Sequence, residues 1–204
     1  MQKLRESLAD AIRAAPALLG CTITSRGRGR PLRALIVETE AYCEDDPASH
    51  AFGGPNERNR SMFGPPGSAY VYRIHRSLCF NVVTGPEGSG QAVLIRAVQP
   101  LEGLDHMMRA RGRATVGSKP PRGYAISNGP GKLCQALGIT LEDDGCDLLA
   151  DPRFLAGGRH ERRHLLLTPR RWRPEVVRSR RVGISRAREE LFRFAIAGNP
   201  WVSR

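Results

Sequence analysis

The chain has 204 residues, enough for one domain or two small ones, and at 40% hydrophobic residues it can bury a core. Lys+Arg 32 against Asp+Glu 20 give a net charge of +12 and a pI near 10.5, which favours a polyanionic partner, most simply nucleic acid, over a basic protein without one. Five scattered cysteines without a CxxC pair argue against a disulfide framework and a zinc ribbon; charges from Lys3 to Arg13 interrupt any secretory core, and no apolar run is long enough to span a membrane, so a cytoplasmic protein with reduced thiols is expected.

In chain order, Leu4, Leu8 and Ile12 at helical spacing predict one amphipathic helix over 3–13, ended or bent by Pro16. "LLGCTIT" (18–24) reads as a strand, "SRGRGRPLR" as a basic turn and "ALIVETEAY" (34–42) as the next strand. Residues 43–67 are rich in turn formers and read as a long loop, a length that signals function or disorder. "SAYVYRIHRSLCFNVVT" (68–84) predicts a β-hairpin or two strands, "QAVLIRAVQP" (91–100) a strand and "LEGLDHMMRARGR" (101–113) a helix, followed by a mobile "ATVGSKPPRGYA". "SNGPGKLCQALGI" (127–139) carries a helix start at Asn-Gly-Pro and a stop at Gly138. "RHLLLTPRRW" and "FRFAIAG" supply two further strands. The class expected is α+β, one domain over 1–204, with a mixed curved sheet, surrounding helices and a protruding hairpin.

Several residues have both a structural and a chemical reading. Glu38 and Glu40 share one strand face, either as a solvated acidic edge, which spacing alone favours, or with Glu40 as a general base, a reading that Tyr42 on that face and His50 downstream strengthen. Tyr70 and Tyr72 share a face, as core aromatics with polar tips or as base-stacking platforms, with equal weight. Arg96 lies inside an apolar strand, which requires a partner: a structural salt bridge, or a fixed cation beside Glu40. "NGPGKL" offers a helix N-terminus to a phosphate, with Lys132 one turn in, but lacks P-loop spacing. His106, His160 and His164 stand singly in polar stretches, so no metal or other cofactor is expected.

Taken together, "IVETEAY…SHAFGG…RNRSMFGPPGSAYVY…CFNVV…AVLIRAVQPLEG…NGPGKLCQALGI…RVGIS…FRFAIAGNPWVS" resembles the alkyladenine (3-methyladenine) DNA glycosylase family, in order from about residue 16 to the C-terminus. The resemblance implies a metal-independent, monomeric enzyme. Such an enzyme flips damaged purines (3-methyladenine, 7-methylguanine, hypoxanthine) out of double-stranded DNA and hydrolyses the N-glycosidic bond, leaving an abasic site. It implies Glu40 as general base, with Arg96 and the carbonyl of Val182 holding the attacking water. It implies Tyr42, His50 and Tyr72 as walls around the flipped base, Asn81 as a filter against a 2-amino group, and Lys132 as a DNA-backbone contact. The family's minor-groove hairpin carries a tyrosine at its tip; here the hairpin is one residue shorter and His75 falls at that place. Glu38 is read as structural, and Glu44, Asp45 and Asp46 as an acidic loop patch. Two other classes stand beside this reading: a non-catalytic nucleic-acid binder on the same fold, and a nuclease using the acidic cluster to bind a divalent metal.

Overall fold

The structure, a computed structural model, describes residues 1–26, 30–113, 123–151 and 164–203. The segment expected to be mobile lies mostly outside these residues, as does His160.

An eight-stranded antiparallel sheet forms the framework, with strand order β3-β4-β5-β2-β1-β6 and β7 and β8 off that path. The strands are β1 (Thr22–Arg26), β2 (Leu32–Tyr42), β3 (Ala69–Ile74), β4 (Ser77–Thr84), β5 (Gln91–Glu102), β6 (His164–Thr168), β7 (Val176–Ser179) and β8 (Arg193–Ile196). The longest contact is β2 against β5, from Arg33↔Glu102 to Tyr42↔Ala92. The other edge of β2 is shared: β1 pairs with Leu32 to Leu35, and β8 with Glu38 to Glu40. Two strands diverging from one edge curl the sheet into a half-barrel, and the site lies where β8 takes over.

The helices are α1 (Gln2–Ser7), α2 (Ala11–Leu18), α3 (Leu104–Arg113) and α4 (Pro130–Leu137). The single helix expected over 3–13 is therefore two. Leu8 leaves helical geometry, and Asp10 opens α2 by accepting the Arg13 N–H at 2.8 Å. Pro16 sits inside α2 rather than ending it. The guanidinium of Arg170 donates to the carbonyls of Pro16 and Leu19 at 3.0 Å each, satisfying groups that a helix end leaves open. The strand read at 18–24 starts later, because Leu18 and Leu19 are buried at that helix end.

Ala14 and Ala15 are fully buried, and these small side chains let α2 approach the sheet so that the Thr39 hydroxyl donates to the Ala15 carbonyl at 2.9 Å. Thr39 thus faces α2, and its neighbours Glu38 and Glu40 face the opposite side. Behind them Leu18, Ile23, Ile36, Phe80, Ile95, Met107, Leu133 and Leu137 form the core. Each such side chain contributes about 1.5–3 kcal/mol on burial. α4 starts and stops where its sequence indicates: Pro130 occupies the first turn and Gly138 takes the left-handed conformation (φ 62°). No helix among the described residues is long and apolar enough to cross a membrane.

Candidate active site

The floor of the site is made by an irregularity between two strands. Around Glu38 the β2–β5 register runs Ile36↔Val98, Glu38↔Ala97, Thr39↔Ile95, which leaves Val37 and Arg96 without opposed residues. Bulges re-aim side chains, and here Arg96 reaches between the two glutamates. Its Nε donates to Glu38 Oε1 at 3.2 Å and its Nη1 lies 3.3 Å from Glu40 Oε1. Nη1 also donates to the Val182 carbonyl at 3.4 Å.

Both carboxylates have zero solvent exposure, so their charge must be met by protein groups. Glu38 is met by four donors, three of them on Oε1. Arg193 Nε donates at 2.6 Å, the Ser203 N–H at 2.6 Å and the Ser203 hydroxyl at 2.8 Å, in addition to Arg96. That set fits the structural reading of Glu38. Glu40 is met differently. The Val182 N–H donates to Oε1 at 2.8 Å and the Tyr42 phenol to Oε2 at 2.9 Å. Oε1 therefore has two donors and Oε2 one, which leaves Oε2 with acceptor capacity.

Above this floor opens a cleft of about 490 Å³. Tyr42, His50, Tyr70, Tyr72, Asn81, Arg96 and Val182 line it, and Glu40 lies beneath the surface that Tyr42, Arg96 and Val182 present. Burial, then the charge and hydrogen bond of Glu40, push the Tyr42 phenol well above the usual tyrosine range, so it stays a donor. The Tyr72 phenol is also raised, first by burial and then by Cys79, its cross-strand partner. The His50 ring stands 4.3 Å from that of Tyr72, and its Nδ1 is 3.0 Å from the Tyr70 hydroxyl. Burial, then Arg58, lower the His50 pKa, favouring a neutral imidazole at neutral pH. The Asn59 amide holds the His50 carbonyl at 2.8 Å. The buried Asn81 lines the cleft with its Nδ2 donating to the Tyr70 carbonyl at 2.9 Å.

Seven of the nine residues singled out from the sequence thus converge: Glu40, Tyr42, His50, Tyr72, Asn81, Arg96 and Val182. His75 and Lys132 do not line the cleft. His75 and Arg76 form the two-residue turn closing the β3–β4 hairpin beyond Ile74↔Ser77, with His75 exposed at positive φ (49°). Lys132, on the first turn of α4, donates to Asn128 Oδ1 at 2.8 Å, and Pro130 next to it does line the cleft.

The acidic loop needs a correction. Glu44 and Asp45 are exposed, but Asp46 is buried in an ion pair with Arg181, which lies 135 positions away. Tyr70 also lines the cleft, buried and stacked on Tyr72 at 5.2 Å, which fits the packing reading of its ring. Among the described residues no group of three His, Cys, Asp or Glu side chains could hold a metal ion, and no lysine lines the cleft.

A buried glutamate under an aromatic cleft, tied to Arg96 and the Val182 backbone, suits hydrolysis of a bond on a flat, polar-edged ring. The model of the methylpurine-DNA glycosylase (MPG) family matches residues 5–200. The chain belongs to that family. It is a monofunctional DNA glycosylase, a DNA-binding repair hydrolase. A protein of Nitrosospira multiformis is 42% identical over 96% of this chain and 90% of its own length. One of Rhodopseudomonas palustris is 44% identical, covering 93% and 82%. One of Methanoculleus marisnigri is 42% identical, covering 96% and 94%. All three carry the name "Putative 3-methyladenine DNA glycosylase".

Proposed function

We propose that this glycosylase, acting as a monomer of one domain over 1–204, removes alkylated and deaminated purines from duplex DNA: 3-methyladenine, 7-methylguanine and hypoxanthine. It works in the cytoplasm, on the nucleoid if the cell is bacterial. The observation that carries the reading is the placement of Glu40, wholly buried beneath the aromatic cleft and held by Arg96, Tyr42 and the Val182 N–H.

A base inside a duplex is out of reach of such a cleft, so the nucleotide is first extruded, at a cost of a few kcal/mol that is least for damaged or mispaired bases. The +12 charge supplies sequence-independent attraction to phosphates, and Lys132 contributes one contact. His75, at the hairpin tip, fills the space that the base vacates. Tyr42 then stacks on one face of the purine and His50 with Tyr72 on the other. An alkylated purine carries positive charge, which an aromatic cage stabilises and a neutral His50 does not repel. Asn81 faces the purine edge and disfavours a 2-amino group.

Alkylation makes the base a good leaving group. Glu40 orients a water toward the sugar carbon through the free capacity of Oε2, takes its proton and stabilises the oxocarbenium charge that develops. Arg96 and the Val182 carbonyl fix that water. Among the described residues no amine lines the cleft to attack the sugar, so the product is an abasic site. The test is incubation of methylated duplex DNA with the protein and chromatography of the released bases. Release of 3-methyladenine supports the reading, and retention of every alkylated base on the DNA rejects it in favour of a binder without activity.

A further inference from the structure

We propose that Arg181 is a positioning residue for excision, a buried cation that joins the three parts of the site into one geometry; the inference rests on the glycosylase reading above. Its side chain has no exposure and forms a forked pair with Asp46, Nη1 to Oδ2 and Nη2 to Oδ1, the latter at 3.0 Å. Nη1 also donates to the Ala41 carbonyl at 3.0 Å, and Nη2 to the Ala187 carbonyl at 3.3 Å. The guanidinium lies 4.7 Å from the centre of the Tyr42 ring and 5.4 Å from that of Phe192.

Each contact reaches a different wall. Ala41 sits between Glu40 and Tyr42 on β2. Asp46 opens the turn leading to Ser49 and His50 and holds it from within: the Ser49 N–H donates to the Asp46 carbonyl at 2.8 Å and the Ala48 N–H to Oδ1 at 2.9 Å. Ala187, held at a positive φ of 46°, ends the segment Gly183 to Arg186 that lines the cleft. Val182, which follows Arg181 and precedes that segment, supplies the N–H and carbonyl that bind Glu40 and Arg96. Arg181 itself does not line the cleft while Tyr42 does, so the guanidinium braces that ring from behind.

A planar fork with two donor edges and a flat face that stacks on aromatic rings can make all these contacts together; a lysine ammonium cannot. The consequence is kinetic. Loosening the brace displaces Tyr42, the His50 turn and Val182 relative to one another, which lowers the rate of the chemical step while DNA contacts outside the cleft persist.

The experiment measures single-turnover excision of 3-methyladenine from duplex DNA, lesion-DNA binding and Tm for the wild-type chain, Arg181→Lys, and the double variant Asp46→Asn/Arg181→Met. The double variant leaves no buried charge unpaired and so protects the fold. Both variants should lose about tenfold to a hundredfold in maximal rate. Half-saturating enzyme concentration should stay within about threefold, and the double variant should recover Tm without recovering rate. Wild-type rate in Arg181→Lys, or a double variant whose rate returns with its Tm, overturns the positioning role. Excision by the wild-type chain beside an unaffected Arg181→Lys removes this inference alone; no excision by the wild-type chain removes the glycosylase reading and this inference with it.

Discussion

The phenol of Tyr42 donates a hydrogen bond to Oε2 of Glu40 at 2.9 Å, from the same strand face two residues on. A wall of the cleft is therefore also a ligand of the carboxylate under it. A bond to a charged acceptor is worth about 1.5–3 kcal/mol. Tyr42→Phe keeps the ring and removes the bond, so the excision rate should fall by about tenfold to a hundredfold while lesion-DNA affinity holds. Single-turnover kinetics beside binding titrations separate the two. An equal loss of both would mean that the phenol serves the stack and not the carboxylate.

A second prediction concerns protonation of His50. Burial and then Arg58 hold its pKa below the ordinary histidine value. The folded site therefore favours the neutral ring. Stability contributed by this group is present above the ordinary histidine value and declines as pH falls below it, down to the lowered folded pKa, because the unfolded chain takes up the proton first. Arg58→Gln removes one of the two causes. The His50 pKa, followed by NMR titration, should rise toward the ordinary value without reaching it, since burial remains. An unchanged titration would show that Arg58 has no hold on the ring.

The third prediction tests the hairpin tip. His75→Ala should slow excision from duplex DNA more than from single strands, where there is no stacking gap to fill. His75→Tyr should be neutral or faster. Equal slowing of both substrates by His75→Ala would move the wedge to Arg76 or Ile74, the exposed residues beside it.

How far the site can be read from the chain alone depends on the range of each contact. Alternation along "ETEAY" places Glu38, Glu40 and Tyr42 on one face, and the structure agrees. The start and end of α4 follow from Pro130 and Gly138, whose backbone preferences are local. The position of Arg96 between two carboxylates depends on a register shift against β2, which period-2 reasoning does not register. The helix end just after Pro16 is closed by Arg170, 154 positions away, which takes the Pro16 carbonyl, a contact that no local pattern foretells. Asp46 reads as part of an acidic patch until Arg181 is brought to it. The "RVG" motif drew attention to Val182, while the residue before it, which makes more contacts, had no local signal. β7 went unread because two valines among arginines form a strand only with β8 beside them.

A fourth prediction concerns affinity for undamaged duplex. The logarithm of the binding constant should fall steeply with the logarithm of salt, about 0.9 units for each phosphate neutralised. Lys132→Ala should lower that slope by about one phosphate's worth. A slope unchanged in the variant would return Lys132 to its structural partner, Asn128.

The central claim is that Glu40 activates water for base excision without a metal, and one measurement reaches it most directly. Methylated duplex DNA is incubated with the wild-type chain or with Glu40→Gln, in the presence of EDTA, and free bases are quantified over time under single-turnover conditions. The wild-type chain should release 3-methyladenine. Glu40→Gln should bind the same DNA and release it slower by roughly 10²–10⁴-fold, the range of general-base contributions. Release by the variant at the wild-type rate, or release by the wild-type chain only after a divalent metal is restored, would contradict the account.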